Sequence, residues 1–175
     1  MLPSIDKRMD ENGIVSILKL SENFNRFYDE KWKLRGVPTQ WFLNQYLETR
    51  ARACLYSEES IKIYYIEFRQ FHTDSNIIKD SYLFAHEMGH IIRLYENKVL
   101  NFGVRRLYDP EFTPIFENTL QHIFEDTAVD RMLCNKYDFN LLPYYEEILG
   151  YSRSNLENIK KEPEGSERTA LLLQL

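Results

Sequence analysis

The segment YLFAHEMGHIIRLYEN, residues 82–97, restricts the possible folds of this chain more than any other feature of the sequence. His86, Glu87 and His90 lie among residues that are mostly apolar at helical spacing, which is typical of a buried helix. Burying two imidazoles and a carboxylate without partners would cost several kcal/mol. Because the histidines are four residues apart, they project from the same face of a helix and can bind one metal ion. We therefore expect a metal site on this helix.

Gly89 lies between the two histidines, in the middle of the predicted helix. A glycine at such a position is about 1 kcal/mol less favourable than an alanine. Glycine has no side chain, so it allows another part of the backbone to come close. We expect a second segment of the chain to pack closely against the helix at this residue.

Residues 86–90 have the spacing H-E-x-x-H, which is typical of zinc hydrolases. Zinc binds neutral imidazole nitrogens, and a catalytic zinc site keeps one position for water, whose pKa the metal lowers towards about 7. Glu87 lies beside the ligands, where it can take the proton of that water and pass it to the leaving amine as a peptide bond breaks. The motif predicts one Zn²⁺ ion bound by His86 and His90, with Glu87 as general base and acid.

These residues resemble the zinc metallopeptidases of the H-E-x-x-H class. The metzincin branch has the longer motif H-E-x-x-H-x-x-G-x-x-H, and it is excluded because Arg93 and Glu96 stand at the glycine and last histidine positions. In the gluzincin branch the third ligand is an acidic residue on a later helix, and HIFEDTAVDRML, residues 122–133, resembles that helix. The resemblance covers roughly residues 60–135 and implies a minimal, cytosolic gluzincin-type domain.

The resemblance leaves two alternatives for the third ligand. With Glu125 as ligand, Ala128 takes the small-residue position of the E-x-x-A pattern; with Asp126 as ligand, DTAVDR is similar to an E-x-x-A-D-R pattern. We prefer Glu125, since its longer side chain matches the usual ligand. Asp126 and Asp130 would then hold the imidazole N–H groups that face away from zinc. His122 is a further candidate, either as an imidazole ligand or as a donor to the transition-state oxygen.

The sequence predicts a mostly helical α+β fold in a single domain, residues 1–175. The domain has a helical N-terminal part, a catalytic core, and a C-terminal part with helices and a tail, at 1–57, 58–137 and 138–175. The predicted elements are helices at 14–34, from Thr39 towards residue 51, at 82–97 and at 115–137, and a strand at 59–71. The resemblance implies a zincin-like arrangement, in which the metal helix and a second ligand helix lie beside a short antiparallel sheet.

The strand at 59–71 is predicted from its alternating, β-branched and aromatic residues. Its charged residues Lys62, Glu67 and Arg69 are typical of a strand with one solvated face at the edge of a sheet. Gluzincins commonly have such an edge strand just before the zinc helix, and the resemblance implies that an extended peptide would add to it by main-chain hydrogen bonds.

Charge and hydropathy exclude several classes of partner. The formal net charge is −5 and the pI is near 5.5, so we expect no nucleic-acid binding. No run of apolar residues approaches the roughly 18 needed for a membrane span, and the charged N-terminus does not resemble a signal peptide. The expected location is the cytoplasm.

The favoured function is zinc-dependent hydrolysis of peptide bonds in a peptide or protein substrate. In this hypothesis His86, His90 and Glu125 are the ligands, and Glu87 activates the water. The alternative is a catalytically inactive zincin-like scaffold that binds zinc and a protein partner.

Overall fold

The computed structural model of the chain describes residues 7–18, 21–47, 49–58, 61–69, 77–99 and 112–159. The chain divides into two compact units, Met1–Phe139 and Asn140–Leu175, where the sequence had predicted one domain. The first unit contains the sheet and the metal helix. No helix in the described part of the chain combines the length and the hydropathy of a membrane span.

The structure contains both helices and a sheet, which confirms the predicted α+β fold class. The first unit contains four short helical segments between its first and second strands, then two more strands and two long helices. In chain order the elements are β1 (Lys7–Met9), α1 (Glu11–Leu18), α2 (Glu22–Phe27), a π-helical turn (Tyr28–Trp32), α3 (Lys33–Arg35), β2 (Thr39–Leu43), β3 (Ala51–Glu58), β4 (Ile61–Phe68), α4 (Ile77–Tyr95) and α5 (Phe112–Tyr137). The described part of the second unit contains α6 (Leu142–Ile159).

The four strands form one sheet in the order β1-β2-β4-β3. β2 pairs with β4 in parallel, whereas β1–β2 and β3–β4 are antiparallel pairs. The sheet is therefore mixed, and the prediction of an antiparallel sheet was wrong for the pairing of β2 with β4. β2 and β4 run in parallel because the chain first passes through β3, at the edge of the sheet, and then returns through β4 alongside β2.

Strand β4 confirms the strand predicted at 59–71, but its place in the sheet differs from the prediction. It is the strand that precedes α4 in the chain, but it lies between β2 and β3, so the edge strand on this side of the sheet is β3. Glu67 of β4 is fully buried, and its carboxylate is 2.5 Å from the Arg52 guanidinium. An ion pair across two strands, rather than solvent, thus satisfies this charge.

The helix predicted from Thr39 was wrong, because β2 and β3 occupy this part of the chain. Trp41 and Phe42 are neighbours on β2 and are both buried, as expected for a strand covered on its two faces. A short apolar run of this kind has no periodicity that separates a buried strand from a helix. Among the described residues of the predicted helical N-terminal part, only those at Glu11–Leu18 and between Glu22 and Arg35 are helical.

Helix α4 packs on one face of the sheet through aromatic side chains. The Phe84 ring stacks on the Trp41 ring with 5.8 Å between centroids, and it meets the Phe68 ring edge-on at 5.4 Å. Farther along the helix, Met88 and Ile91 are completely buried. The metal motif is thus part of a helix enclosed on most of its circumference, as the apolar sequence predicted.

Hydrogen bonds to the Glu11 carboxylate connect the N-terminal helices to this core. Its carboxylate accepts hydrogen bonds from the indole N–H groups of Trp32 (3.0 Å) and Trp41 (3.1 Å) and from the Tyr28 hydroxyl (3.2 Å). Burial, followed by the negative charge of Glu11, raises the pKa of Tyr28 to about 12. One carboxylate therefore connects α1, the π-helical turn and β2.

Replacing Glu11 by alanine is expected to lower the free energy of unfolding by about 3 kcal/mol, because three donors lose a charged acceptor together. Chemical denaturation followed by tryptophan fluorescence measures this change. Glu30 is exposed on the π-helical turn, and Glu30→Ala serves as the control, with an expected change within about 0.5 kcal/mol. Equal effects of the two substitutions would contradict a structural role for the Glu11 carboxylate.

Candidate metal centre

His86 and His90 lie one turn apart on α4 and face the same side, as predicted. Their Nε2 atoms are 2.9 Å apart, and their ring centroids are separated by 4.6 Å. Both side chains are mostly buried, with 13% and 18% of their surfaces exposed. The two imidazoles thus converge on a single point beside the helix.

Asp126 of α5 completes a group of three possible metal ligands. Its Oδ1 atom is 3.2 Å from His90 Nε2 and 3.7 Å from His86 Nε2. Around a tetrahedral zinc ion, two ligand atoms are about 3.4 Å apart. The three observed separations place each atom about 1.9 Å from the centre of their triangle, so one point about 2.1 Å from all three exists. The donor set and its spacing therefore fit a zinc ion.

Glu125, the preferred ligand in the sequence analysis, does not belong to this group. Its carboxylate is bound by the Arg93 guanidinium through two hydrogen bonds, Nε to Oε2 at 2.7 Å and Nη2 to Oε1 at 3.1 Å. Adjacent residues on a helix point about 100° apart, and in the observed rotation of α5 Asp126 faces the histidines while Glu125 faces Arg93. The structure thus places Asp126, the alternative ligand, beside the histidines and pairs Glu125, the preferred ligand, with Arg93.

Asp130 holds the His86 ring, which is the role predicted for it. Its Oδ1 atom is 2.7 Å from His86 Nδ1 and accepts a 2.7 Å hydrogen bond from the Tyr82 hydroxyl. An Nδ1–H donor to Asp130 leaves the Nε2 lone pair directed at the metal position. Tyr82 was missed in the sequence: it lies one turn before His86, but twelve tyrosines in the chain gave no reason to select it.

Glu87 lies on the side of α4 that faces the sheet edge. Its Oε2 atom accepts a hydrogen bond of 2.5 Å from the backbone N–H of Ala53, in edge strand β3. This N–H points away from β4, because successive residues of a strand direct their backbone groups to alternate sides. The predicted general base is therefore next to the two ligands in sequence and is held against the open edge of the sheet.

Gly89 of α4 packs closely against α5. A Cβ atom on Gly89 would lie 2.6 Å from Val129 Cγ1, well inside van der Waals contact. The expected close approach is thus made by a side chain of α5 rather than by a bare backbone. Val129 lies three residues after Asp126, so the missing side chain at Gly89 lets the ligand-bearing part of α5 reach α4.

The electrostatics of the metal-free site favour a protonated ring at His86. Burial works against the charged ring, but the hydrogen bonds to Asp126 and Asp130 outweigh it and raise the pKa of His86 to about 9. Burial likewise opposes ionisation of Asp126, yet the hydrogen bonds to His86 and His90 bring its pKa well below the usual range. A positive charge is thus favoured between these side chains, and a metal ion would take the place of the proton.

Of the two remaining histidines, the structure describes only His122. His122 is exposed on α5, and the three ligand candidates within 4.8 Å of one another do not include it. Its predicted roles as a ligand or a transition-state donor have no support from this arrangement. His72 lies outside the described residues.

Comparisons with known proteins add no relative to this picture. No protein family, no curated protein sequence and no solved structure matches the chain. Membership in the gluzincin branch stays a prediction from the sequence.

Proposed function

We propose that this chain is a zinc-dependent peptidase of the cytosol that hydrolyses peptide bonds in a peptide or protein substrate. The observation that carries the proposal is the group His86, His90 and Asp126, placed on two helices with separations that suit zinc. Glu87 is adjacent to this group on α4 and belongs to no ion pair among those described. A carboxylate beside a metal position is the arrangement that metal-assisted hydrolysis requires.

Each residue of the proposed site has its own role in the hydrolysis. A bound zinc ion supplies Lewis acidity, which makes a water molecule more acidic and a substrate carbonyl more electrophilic. Glu87 takes a proton from the attacking water and delivers it to the amine that leaves. Asp130 keeps the His86 ring oriented throughout, and Tyr82 keeps Asp130 in place.

Among the described strands β3 lies at the edge of the sheet, and this edge offers a place for an extended substrate. Residues whose backbone groups point outward alternate along the strand, so Leu55 and Ser57 have the same orientation as Ala53. An extended peptide adds to such an edge by main-chain hydrogen bonds. Since Glu87 already contacts Ala53, a peptide on this edge would present its backbone to the general base.

Glu87→Gln is the test of this proposal. Glutamine has nearly the same shape but cannot accept the water proton, so we expect zinc binding to be retained and hydrolysis to fall by about 10²–10⁴-fold. Zinc content is measured by elemental analysis, and hydrolysis by mass spectrometry of a mixed-sequence peptide library incubated with the zinc-loaded protein.

Glu96→Gln is the matched control, because Glu96 follows α4 and forms ion pairs with Lys31 and Lys98 away from the ligands. We expect its activity to equal that of the wild type. A wild-type protein that binds zinc but cleaves no peptide would contradict the peptidase proposal and favour the zinc-binding scaffold. A wild-type protein that binds no zinc would refute both.

A further inference from the structure

The ion pair between Arg93 and Glu125 lies directly beside the candidate ligands. Arg93 follows His90 by three residues on α4, and Glu125 precedes Asp126 on α5. Both side chains are largely buried, with 19% of Arg93 and 8% of Glu125 exposed. Two hydrogen bonds in a fork geometry join them, so each carboxylate oxygen of Glu125 has its own N–H donor.

The Arg93 side chain is itself fixed at the end of α4. Its Nη2 group also donates to the backbone carbonyl of Lys98 at 2.9 Å. The chain reverses here through Asn97, which has a φ of 53°, and the Lys98 N–H bonds to the Arg93 carbonyl at 2.8 Å. The guanidinium is thus held by its own helix end while it binds the carboxylate of the neighbouring helix.

Without Arg93, Glu125 would be a competing ligand. It has the longer side chain of the two adjacent acids, and a divalent cation attracts any carboxylate in reach. A second carboxylate on zinc would reduce the net charge of the site and therefore its Lewis acidity. An arginine that occupies both oxygens of Glu125 removes this competition, since the guanidinium stays charged at every physiological pH.

We propose that Arg93 is a positioning residue that holds Glu125 away from the metal and thereby assigns the third ligand position to Asp126. This inference rests on the metal site of the proposed function. It goes beyond it by giving a role to a side chain that touches no ligand atom.

The test is the cost of Asp126→Asn for zinc affinity, measured in three backgrounds. The backgrounds are the wild type, Arg93→Gln and Arg52→Gln. Arg52 is the matched control, because it also pairs with a buried glutamate, Glu67, in the same unit but on the sheet. Zinc dissociation constants come from competition with a chromophoric chelator, and thermal unfolding confirms that each variant is folded.

If Arg93 holds Glu125 away from the metal, Arg93→Gln makes Glu125 available as a replacement ligand. The loss of zinc affinity caused by Asp126→Asn is then at least about tenfold smaller in this background than in the wild type. The cost in the Arg52→Gln background should equal the wild-type cost. Equal costs in all three backgrounds would overturn the proposal. A reduced cost in the Arg52→Gln background would also overturn it, because the effect would then follow from lost stability.

Arg93→Lys provides a second background in case Arg93→Gln does not fold. Lysine keeps the charge but has no fork of donors, so the cost of Asp126→Asn should lie between the wild-type and Arg93→Gln values. If Asp126→Asn lowers zinc affinity in the Arg93→Lys background by the same factor as in the wild type, this would contradict a role for the two hydrogen bonds between Arg93 and Glu125. Every measurement here is of binding, so absent hydrolysis leaves the test intact, whereas a wild-type protein that binds no zinc would refute the metal site itself.

Discussion

Asp126→Asn is expected to weaken zinc binding by more than about 100-fold, whereas Glu125→Gln should change it by less than about tenfold. The structure gives the reason: Asp126 Oδ1 lies 3.2 Å from His90 Nε2, while both oxygens of Glu125 are bound by Arg93. Removing a ligand should cost more than the 10–100-fold that is typical of groups bonded to ligands. Zinc competition assays on the two single variants measure the difference.

The two substitutions are well matched as a pair. Each replaces a carboxylate by its amide on consecutive residues of α5, so helix propensity and side-chain volume change equally little. Thermal unfolding without zinc shows whether either variant is misfolded. A larger loss of zinc affinity for Glu125→Gln than for Asp126→Asn would contradict the ligand assignment and restore the register preferred from the sequence.

Zinc affinity should rise with pH, by about tenfold per unit from pH 7 to about pH 9, and then level off. The pKa of His86 is about 9 in the metal-free protein, above its ordinary value, so the ring is protonated below that pH and zinc must displace the proton. Isothermal titration calorimetry in buffers of different ionisation enthalpy should show about one proton released at pH 7.

The same pKa shift gives the metal-free protein the opposite pH dependence. A group whose pKa is raised by folding stabilises the fold fully below its unfolded pKa, near 6.5 for histidine. That stabilisation is lost as the pH rises through about 9. The metal-free chain should therefore lose stability over the interval in which zinc affinity rises. Zinc affinity that is constant between pH 7 and 9 would show that His86 carries no proton there.

The sequence predicted α4 and the shared face of His86 and His90 because their signals are local. An apolar run at helical spacing, with two histidines one turn apart, determines both the helix and the face that carries the ligands. Strand β4 was predicted for the same reason, from alternating β-branched and aromatic residues. Asp130 was also placed in its role, since the patterns that suggested it depend on spacing along one helix.

The acid that lies beside the two histidines was not predictable in this way, because its position depends on how α5 is rotated about its own axis. In the observed rotation, Glu125 contacts Arg93 and Val129 packs against Gly89, and both contacts join residues more than thirty positions apart in the sequence. The order of the strands is another non-local property. The sequence of β2 by itself indicates only an apolar segment, and its pairing with β4 is what shows that it is a strand.

The placement of the three ligand candidates on two helices has a consequence for the folding of the chain. His90 and Asp126 are about 36 residues apart in sequence, so an ion bound between them would act as a cross-link that closes the intervening chain into a loop. The entropy cost of closing such a loop grows only slowly with its length. A metal ion that cross-links the two helices therefore stabilises the fold even when the enclosed segment is long. Chelation would remove this cross-link between the two helices and lower the free energy of unfolding.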